Sequence, residues 1–173
     1  MRSIAFAAGA AVVLLTFGSS ALASGGWTPT KTQGLTLKGT SLGDVSPATP
    51  LHVAVSLEIR DLTGLQSGIQ SGTQLSAAQF GAQYAPTAGK ADAVRSYLVK
   101  EGFTNVAVEQ NRLFVTADAT AARADAAFDT KILSWSVNGK TMFANATPAQ
   151  VPSALGGVVL SVLGLNDAAT MSG

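Results

Sequence analysis

The chain of 173 residues contains no cysteine, which excludes a disulfide scaffold, a thiol nucleophile and any thiolate metal site. Its single histidine, His52, cannot build a multi-histidine metal centre and leaves little room for a Ser-His-Asp triad. Charge is also scarce. Only 12% of residues are charged, eleven Lys+Arg stand against ten Asp+Glu, and without Arg2 the remainder is neutral. Such a chain lacks the basic field that nucleic acid or an anionic membrane surface demands. It has no Gly-x-Ser-x-Gly elbow, no phosphate loop, no His-Glu-x-x-His and no cofactor motif, so no catalytic, metal or cofactor residue can be assigned. What is abundant is apolar surface: 47% hydrophobic residues are too many for a disordered chain and suit one compact domain.

The amino terminus reads as an address. Met1-Arg2, an apolar run from Ile4 to Phe17 and the Ala21-Leu22-Ala23 pattern have the form of a signal peptide over residues 1–23. The run is shorter than the roughly 20 apolar residues that span a bilayer. The expected mature chain starts near Ser24 and is secreted or periplasmic, with no membrane contact after cleavage.

Residues 24–50 form an extended Gly/Thr/Pro-rich lead-in, in which an edge strand through Leu35 and Leu37 is expected. Leu51, Val53, Val55, Leu57 and Ile59 then alternate with polar or small residues, a two-residue period that places one strand face inward and His52 on the open face. The Gly-x-Gln-x repeat from Gly64 to Leu75 reads as a flexible surface connection, because each helical glycine costs about 1 kcal/mol against alanine. Ser76-Ala77-Ala78-Gln79 has the form of a capping box. Thr87 starts a helix with Ala91, Val94, Tyr97 and Leu98 on one stripe and Gly102 at its end. Strands follow around a Gln110-Asn111 turn, then a helix from Thr120 with Ala121, Ala124 and Phe128 inward. Leu133, Trp135 and Val137 alternate into Asn138-Gly139, the strongest hairpin signal in the chain. Thr147-Pro148 predicts a helix start, and Pro152 a last helix carrying Leu155, Val158, Val159, Val162 and Leu163, stopped at Gly164. Hairpins and helices in this order predict an α+β fold, an antiparallel sheet with helices packed on one face.

The acidic residues Asp92, Asp125 and Asp129 sit beside Lys90, Arg95, Arg123 and Lys131 on helix faces, an arrangement expected to give solvated ion pairs worth about 0–1 kcal/mol each. Trp135 and Tyr97 are read as core or interface residues. Asn145-Ala146-Thr147 is a glycosylation sequon of little weight.

Read together, several segments resemble the pro-kumamolisin activation domain, the pro-domain of the sedolisin family of serine-carboxyl peptidases. They are Leu51 to Arg60; Leu75-Ser76-Ala77-Ala78-Gln79-Phe80 with Tyr84-Ala85-Pro86; Gly102-Phe103; Asn111-Arg112; Ala126-Ala127-Phe128-Asp129-Thr130; and Val151-Pro152-Ser153-Ala154-Leu155 with Val162-Leu163-Gly164-Leu165. The resemblance spans about Leu42 to Leu165. It departs where the glycine repeat replaces an aromatic-bearing loop and where Asp118-Ala119-Thr120 replaces a glycine-led helix entry.

The resemblance implies a ferredoxin-like sandwich over 51–165, followed by a short tail at 166–173. It also implies a non-catalytic chain that assists folding of a peptidase catalytic domain and inhibits it, that domain being the expected protein partner. The family's catalytic residues and calcium site would lie beyond Gly173. Eight residues after Leu165 reach at most about 26–29 Å, so binding by a folded face is expected rather than a substrate-like tail. The candidate partner-facing residues are Asp92, Glu101, Asp125, Asp129 and Trp135. If the four acids pair with partner cations, the contact is present at neutral pH and fades in acid. The alternatives are a secreted binding module that reuses the fold, and a truncated remnant of a longer peptidase precursor.

Overall fold

The computed structural model describes residues 26–168, so the expected leader at 1–23 and the end of the tail lie outside the described residues. In chain order the elements are β1 (Trp27–Pro29), β2 (Thr40–Asp44), β3 (Pro50–Leu57), α1 (Leu62–Gln70), α2 (Ala77–Gln83) and α3 (Ala88–Lys100). There follow β4 (Thr104–Val108), β5 (Phe114–Thr120), α4 (Ala121–Ala127), β6 (Ile132–Val137), β7 (Lys140–Asn145), β8 (Gln150–Pro152), a single 3-10 turn (Ser153–Leu155) and β9 (Val159–Leu163).

The centre of the molecule is a four-stranded antiparallel sheet of order β4-β5-β3-β9. With α3 between β3 and β4 and α4 between β5 and β9, it has the ferredoxin-like split β-α-β arrangement. The expected α+β class with helices on one sheet face is what forms. A three-stranded sheet β2-β6-β7 and a two-stranded ribbon β1-β8 are added to it.

The alternation read in β3 decides the core. Leu51, Val53, Val55 and Leu57 are buried, as are Val115 and Ala117 of β5 and Val159 and Val162 of β9. Against them pack Ala91, Val94 and Leu98 of α3 and Ala121, Ala124 and Ala127 of α4, with Phe103 and Phe128 meeting edge to face at 5.8 Å. Each fully buried Val, Leu or Phe contributes about 1.5–3 kcal/mol. The small alanines let α4 lie close on the sheet. Tyr97 ties the two helices by donating its hydroxyl to Ala127 O at 2.5 Å, and burial pushes that phenol above its ordinary range.

Local signals behave as read at several points. Ser76 and Gln79 form the full capping box of α2, Thr87 caps α3, and Asn138-Gly139 turns with φ 50° and 77° between β6 and β7. Other readings are corrected. No strand forms at Leu35 and Leu37; that stretch crosses β6 and β7, where Leu35 N–H donates to Asn145 O and a Cβ on Gly34 or Gly39 would strike the backbone of Ala146 or Ser136. The first two units of the Gly-x-Gln-x repeat are helix rather than a flexible connection, since Asp61 caps α1 by accepting from Gly64 N; only the third unit, Gly72 to Leu75, is a surface connection, opened by Gly72 at φ 73°.

Thr147 starts no helix, because its hydroxyl accepts from Lys131 N–H and the chain goes on to pair β8 with β1. The expected last helix is also absent. Gly156-Gly157 interrupts it after one 3-10 turn, and Val159 to Leu163 take the edge of β3 as strand β9. Gly164 is needed at φ 88° for another reason, since a Cβ there would meet His52 O. In β6 the inward pair is Ile132 and Trp135, three apart, rather than the alternating Leu133, Trp135 and Val137.

Leu98→Ala removes a fully buried side chain from the layer between α3 and the sheet. It is expected to lower unfolding free energy by about 2–5 kcal/mol. Urea denaturation measures this, as a lower midpoint at unchanged slope.

Candidate functional site

Strand pairing puts the residues of the second sheet face into three rows. His52 lies opposite Asp118, which lies opposite Thr104. The middle row runs Leu163, Ala54, Thr116 and Ala107 across all four strands. The last row holds Ser161, Ser56 and Phe114. The helices α3 and α4 pack on the opposite face, and among the described residues no helix layer packs on this one; Ser56 is buried near one end of it, while Leu163 stays 51% exposed at its edge. The central row carries no charge and only small side chains beside Leu163, which leaves a shallow neutral strip.

Each flanking row is tied by polar side chains. Asp118 Oδ1 lies 2.6 Å from His52 Nδ1, and Asn105 Nδ2 donates to Asp118 Oδ2 at 2.7 Å. Asn105 holds φ 51° in the irregularity of β4 between Thr104 and Ala107. The Asn105 hydrogen bond first, and the His52 one second, keep the Asp118 carboxyl below the usual range. Its ionised form therefore favours the fold above the ordinary carboxylate range, and this contribution is lost as pH falls through the lowered value. At the other end, the Ser56 and Ser161 hydroxyls lie 2.7 Å apart.

His52 and Ser56 are four residues apart on one strand, about 13 Å along it, so they do not form a nucleophile–base pair. His52 is exposed as expected, yet it has a partner that the sequence did not reveal. Asp118 and Asn105 were missed because only the β3–β5 and β4–β5 registers bring them to His52.

The five sequence-derived candidates all lie off these four strands. Asp92 and Glu101 belong to α3 and its carboxyl end, about half a turn out of phase at 100° per residue. Asp125 is partly buried on α4, where its Oδ1 accepts from Ile132 N–H at 2.9 Å. Burial pushes this carboxyl up, partly offset by that hydrogen bond and by Lys131. Asp129, at φ 41°, accepts from Gln150 Nε2 at 2.7 Å.

The ion pairs expected among the helix residues do not form among the described residues: Lys131 instead meets Asp44 at 2.7 Å, and Arg123 donates to Gly102 O. Trp135 is 9% exposed, with its Nε1 unpartnered among the described residues. The sequon asparagine is fully buried, Asn145 Nδ2 donating to Gln33 O and Thr147 O, so the folded chain offers no acceptor for a glycan there.

Asp125 gives a pH prediction. Its raised pKa means that the folded state favours the protonated acid, so its stabilising contribution grows as pH falls through that value and is lost as pH rises. Asp125→Asn keeps an acceptor for Ile132 N–H without the charge and is expected to hold or raise the melting temperature at pH 7. Asp125→Ala removes the acceptor, at about 1 kcal/mol, and is expected to lower it by a few degrees. Thermal scans at pH 4 and 7 measure both.

The profile of the family described as "Pro-kumamolisin, activation domain" matches residues 38–168. The chain is 38% identical over 167 residues to the Sedolisin of Pseudomonas sp. (strain 101), covering 87% of this chain and 28% of that protein. It is 42% identical over 127 residues to the Xanthomonalisin of Xanthomonas sp. (strain T-22), covering 68% of this chain and 15% of that protein. The chain thus spans less than a third of the length of either curated relative. The split β-α-β sheet, the helices between its strands and a profile match over most of the sequence converge: this chain belongs to the pro-kumamolisin activation domain family, the non-catalytic pro-domain of sedolisin-type peptidases.

Proposed function

We propose that this domain is exported and serves as folding assistant and inhibitor of a sedolisin-type catalytic domain, docking on it through the uncovered sheet face. The observation that carries the reading is the neutral strip of Leu163, Ala54, Thr116 and Ala107, a flat apolar surface bounded by the His52–Asp118–Asn105 and Ser56–Ser161 groups. An interface core of this kind excludes water, while a polar rim fixes register. The face is held in shape by the packed layer behind it, so docking costs little ordering.

Asp92, Glu101, Asp125 and Asp129, on or beside the helices of the opposite layer, do not border this face and would meet partner cations in a second contact on the helix side. Trp135, with its ring mostly covered, would contribute only an edge. Carboxylates paired across such an interface have depressed pKa values when bound. Their contribution then exists at neutral pH and disappears as acid protonates them. Among the described residues no helix is long and apolar enough to cross a membrane, which accords with action outside one.

The test mixes this chain with a sedolisin-type catalytic domain lacking its own pro-segment. Slowed peptide cleavage and improved refolding are expected, and the absence of both effects overturns the proposal. Ala54→Arg and Thr116→Arg each place a long cation on the neutral strip without entering the core. Each is expected to weaken inhibition at least tenfold, about 1.4 kcal/mol. Affinity measured from neutral to acidic pH is expected to fall in acid.

A further inference from the structure

Between Leu57 of β3 and Ala85, no residue is buried, although this stretch includes the helices α1 and α2. From Leu62 to Gln83 there is also no charged side chain. Two arginines fasten the stretch to the body. Arg60 donates to the carbonyls of Ala85, Gly81 and Ala82, and Arg112 to those of Pro86 at 2.6 Å and Gly81 at 2.8 Å. These contacts hold the carboxyl end of α2, downstream of the link that joins the two helices.

In that link the residues 71–74 are exposed and Leu75 is half-buried. Thr73 N–H still returns to Gly68 O at 2.9 Å, and Ser76 N–H is taken by the capping box. The N–H groups of Gln74 and Leu75 donate to nothing among the described residues. Residues 73–76 belong to neither helix. An endopeptidase binds its substrate as an extended strand and supplies the main-chain hydrogen bonds itself, so a stretch with free amides needs little local unfolding to enter a cleft.

The amides of Thr36, Leu37 and Lys38 are also without an acceptor among the described residues, but that stretch carries the Lys38 charge and lies between the Leu35–Asn145 hydrogen bond and the β2–β6 pairing. The lead-in donates from Thr30, Lys31 and Leu35 to Ala149, Leu160 and Asn145, and the Asn138-Gly139 turn is closed by its hairpin.

We propose that the Thr73–Gln74–Leu75 stretch is a processing site for an endopeptidase that accepts an uncharged extended segment, with Gln74–Leu75 the bond cut first. Water adds to the carbonyl carbon of Gln74 and the C–N bond to Leu75 breaks. The oxygen stays on the new carboxyl group and a proton goes to the new amino group, with no oxidation or reduction. The cut does not dismantle the sheet, because β3 on the upstream piece lies between β5 and β9 of the downstream piece. It does turn one folded chain into a two-piece complex whose integrity depends on concentration. If the domain acts as proposed above, this is where it can be disarmed irreversibly; the site itself does not rest on that reading.

The test is limited proteolysis of the full chain with a broad-specificity endopeptidase such as subtilisin, followed by mass spectrometry of the products. The earliest cut within residues 26–168 is expected between Thr73 and Leu75. The two products should co-elute by gel filtration in native buffer and separate in urea. An earliest cut elsewhere would overturn the proposal, as would products that separate at once in native buffer. The double substitution Gln74→Pro with Leu75→Pro sacrifices no hydrogen bond. It is expected to slow that cut at least tenfold with little change in melting temperature, and undiminished cleavage there would count against the site. Mapping the cut in the unaltered chain decides the matter even if the double variant folds poorly.

Discussion

Everything in this fold depends on β3 being paired on both sides by strands that come much later in the chain. Its partner β5 runs in register from Pro50–Thr120 to Ser56–Phe114, and β9 pairs it on the other side at Val55–Val162 and Ala54–Leu163. Those pairings force Leu51, Val53, Val55 and Leu57 inward together and send His52, Ala54 and Ser56 to the other face. A one-residue slip would reverse the two faces and put valines in water, so burial itself holds the register. The cost is entropic. Long stretches of chain must be closed before β3 and β9 can meet, and such topologies form slowly. A protein with so little charge and no covalent staple gains its stability from this layer and from the helices over it.

The same constraint explains how the rest of the chain is used. A sheet edge left open recruits other chains, and the two edges here are treated differently. The lead-in seals β9, where Thr32 Oγ1 donates to Val162 O and accepts from Val162 N–H at 2.8 and 2.7 Å. The outer edges of β4 and β2 each carry an irregularity, at Thr104/Ala107 and Ser41/Gly43. A bulge twists an edge away from regular pairing. The outer edges of β4 and β2, which face no other strand, are thus the irregular ones, and the regular uncovered surface is a face, which selects partners by shape rather than by backbone hydrogen bonding.

Legibility followed the range of the interactions. The β3 alternation, the Ser76–Gln79 box, the Thr87 cap, Gly102 and Asn138-Gly139 are fixed within a few residues, and all five are found where the sequence places them. The candidate face was half legible: His52 was placed on the open side of its strand, but its cluster with Asp118 and Asn105 needs two cross-strand registers. The last helix failed for a related reason. Val158 to Leu163 fits a helical stripe and a strand about equally well as a string of letters. The vacant edge of β3 and the glycine pair before it settle the choice, and neither acts through a local propensity. The amphipathic reading of Asp125 and Asp129 likewise missed that their carboxylates are occupied by an amide of β6 and a side chain of β8.

The sequence by itself determined the class of the molecule. Without cysteine, with one histidine and with nearly balanced charge it left no chemistry to assign, while its order of alternating and helical stretches led to one family of folds. These are properties of composition and of neighbours along the chain, which act whatever the rest does. Only the tertiary structure decided which strand face stays uncovered, that the sequon asparagine is enclosed, and which side chains meet Asp118. Those outcomes depend on segments more than ten, and often more than a hundred, residues apart, and no local rule can fix where two such segments come to rest.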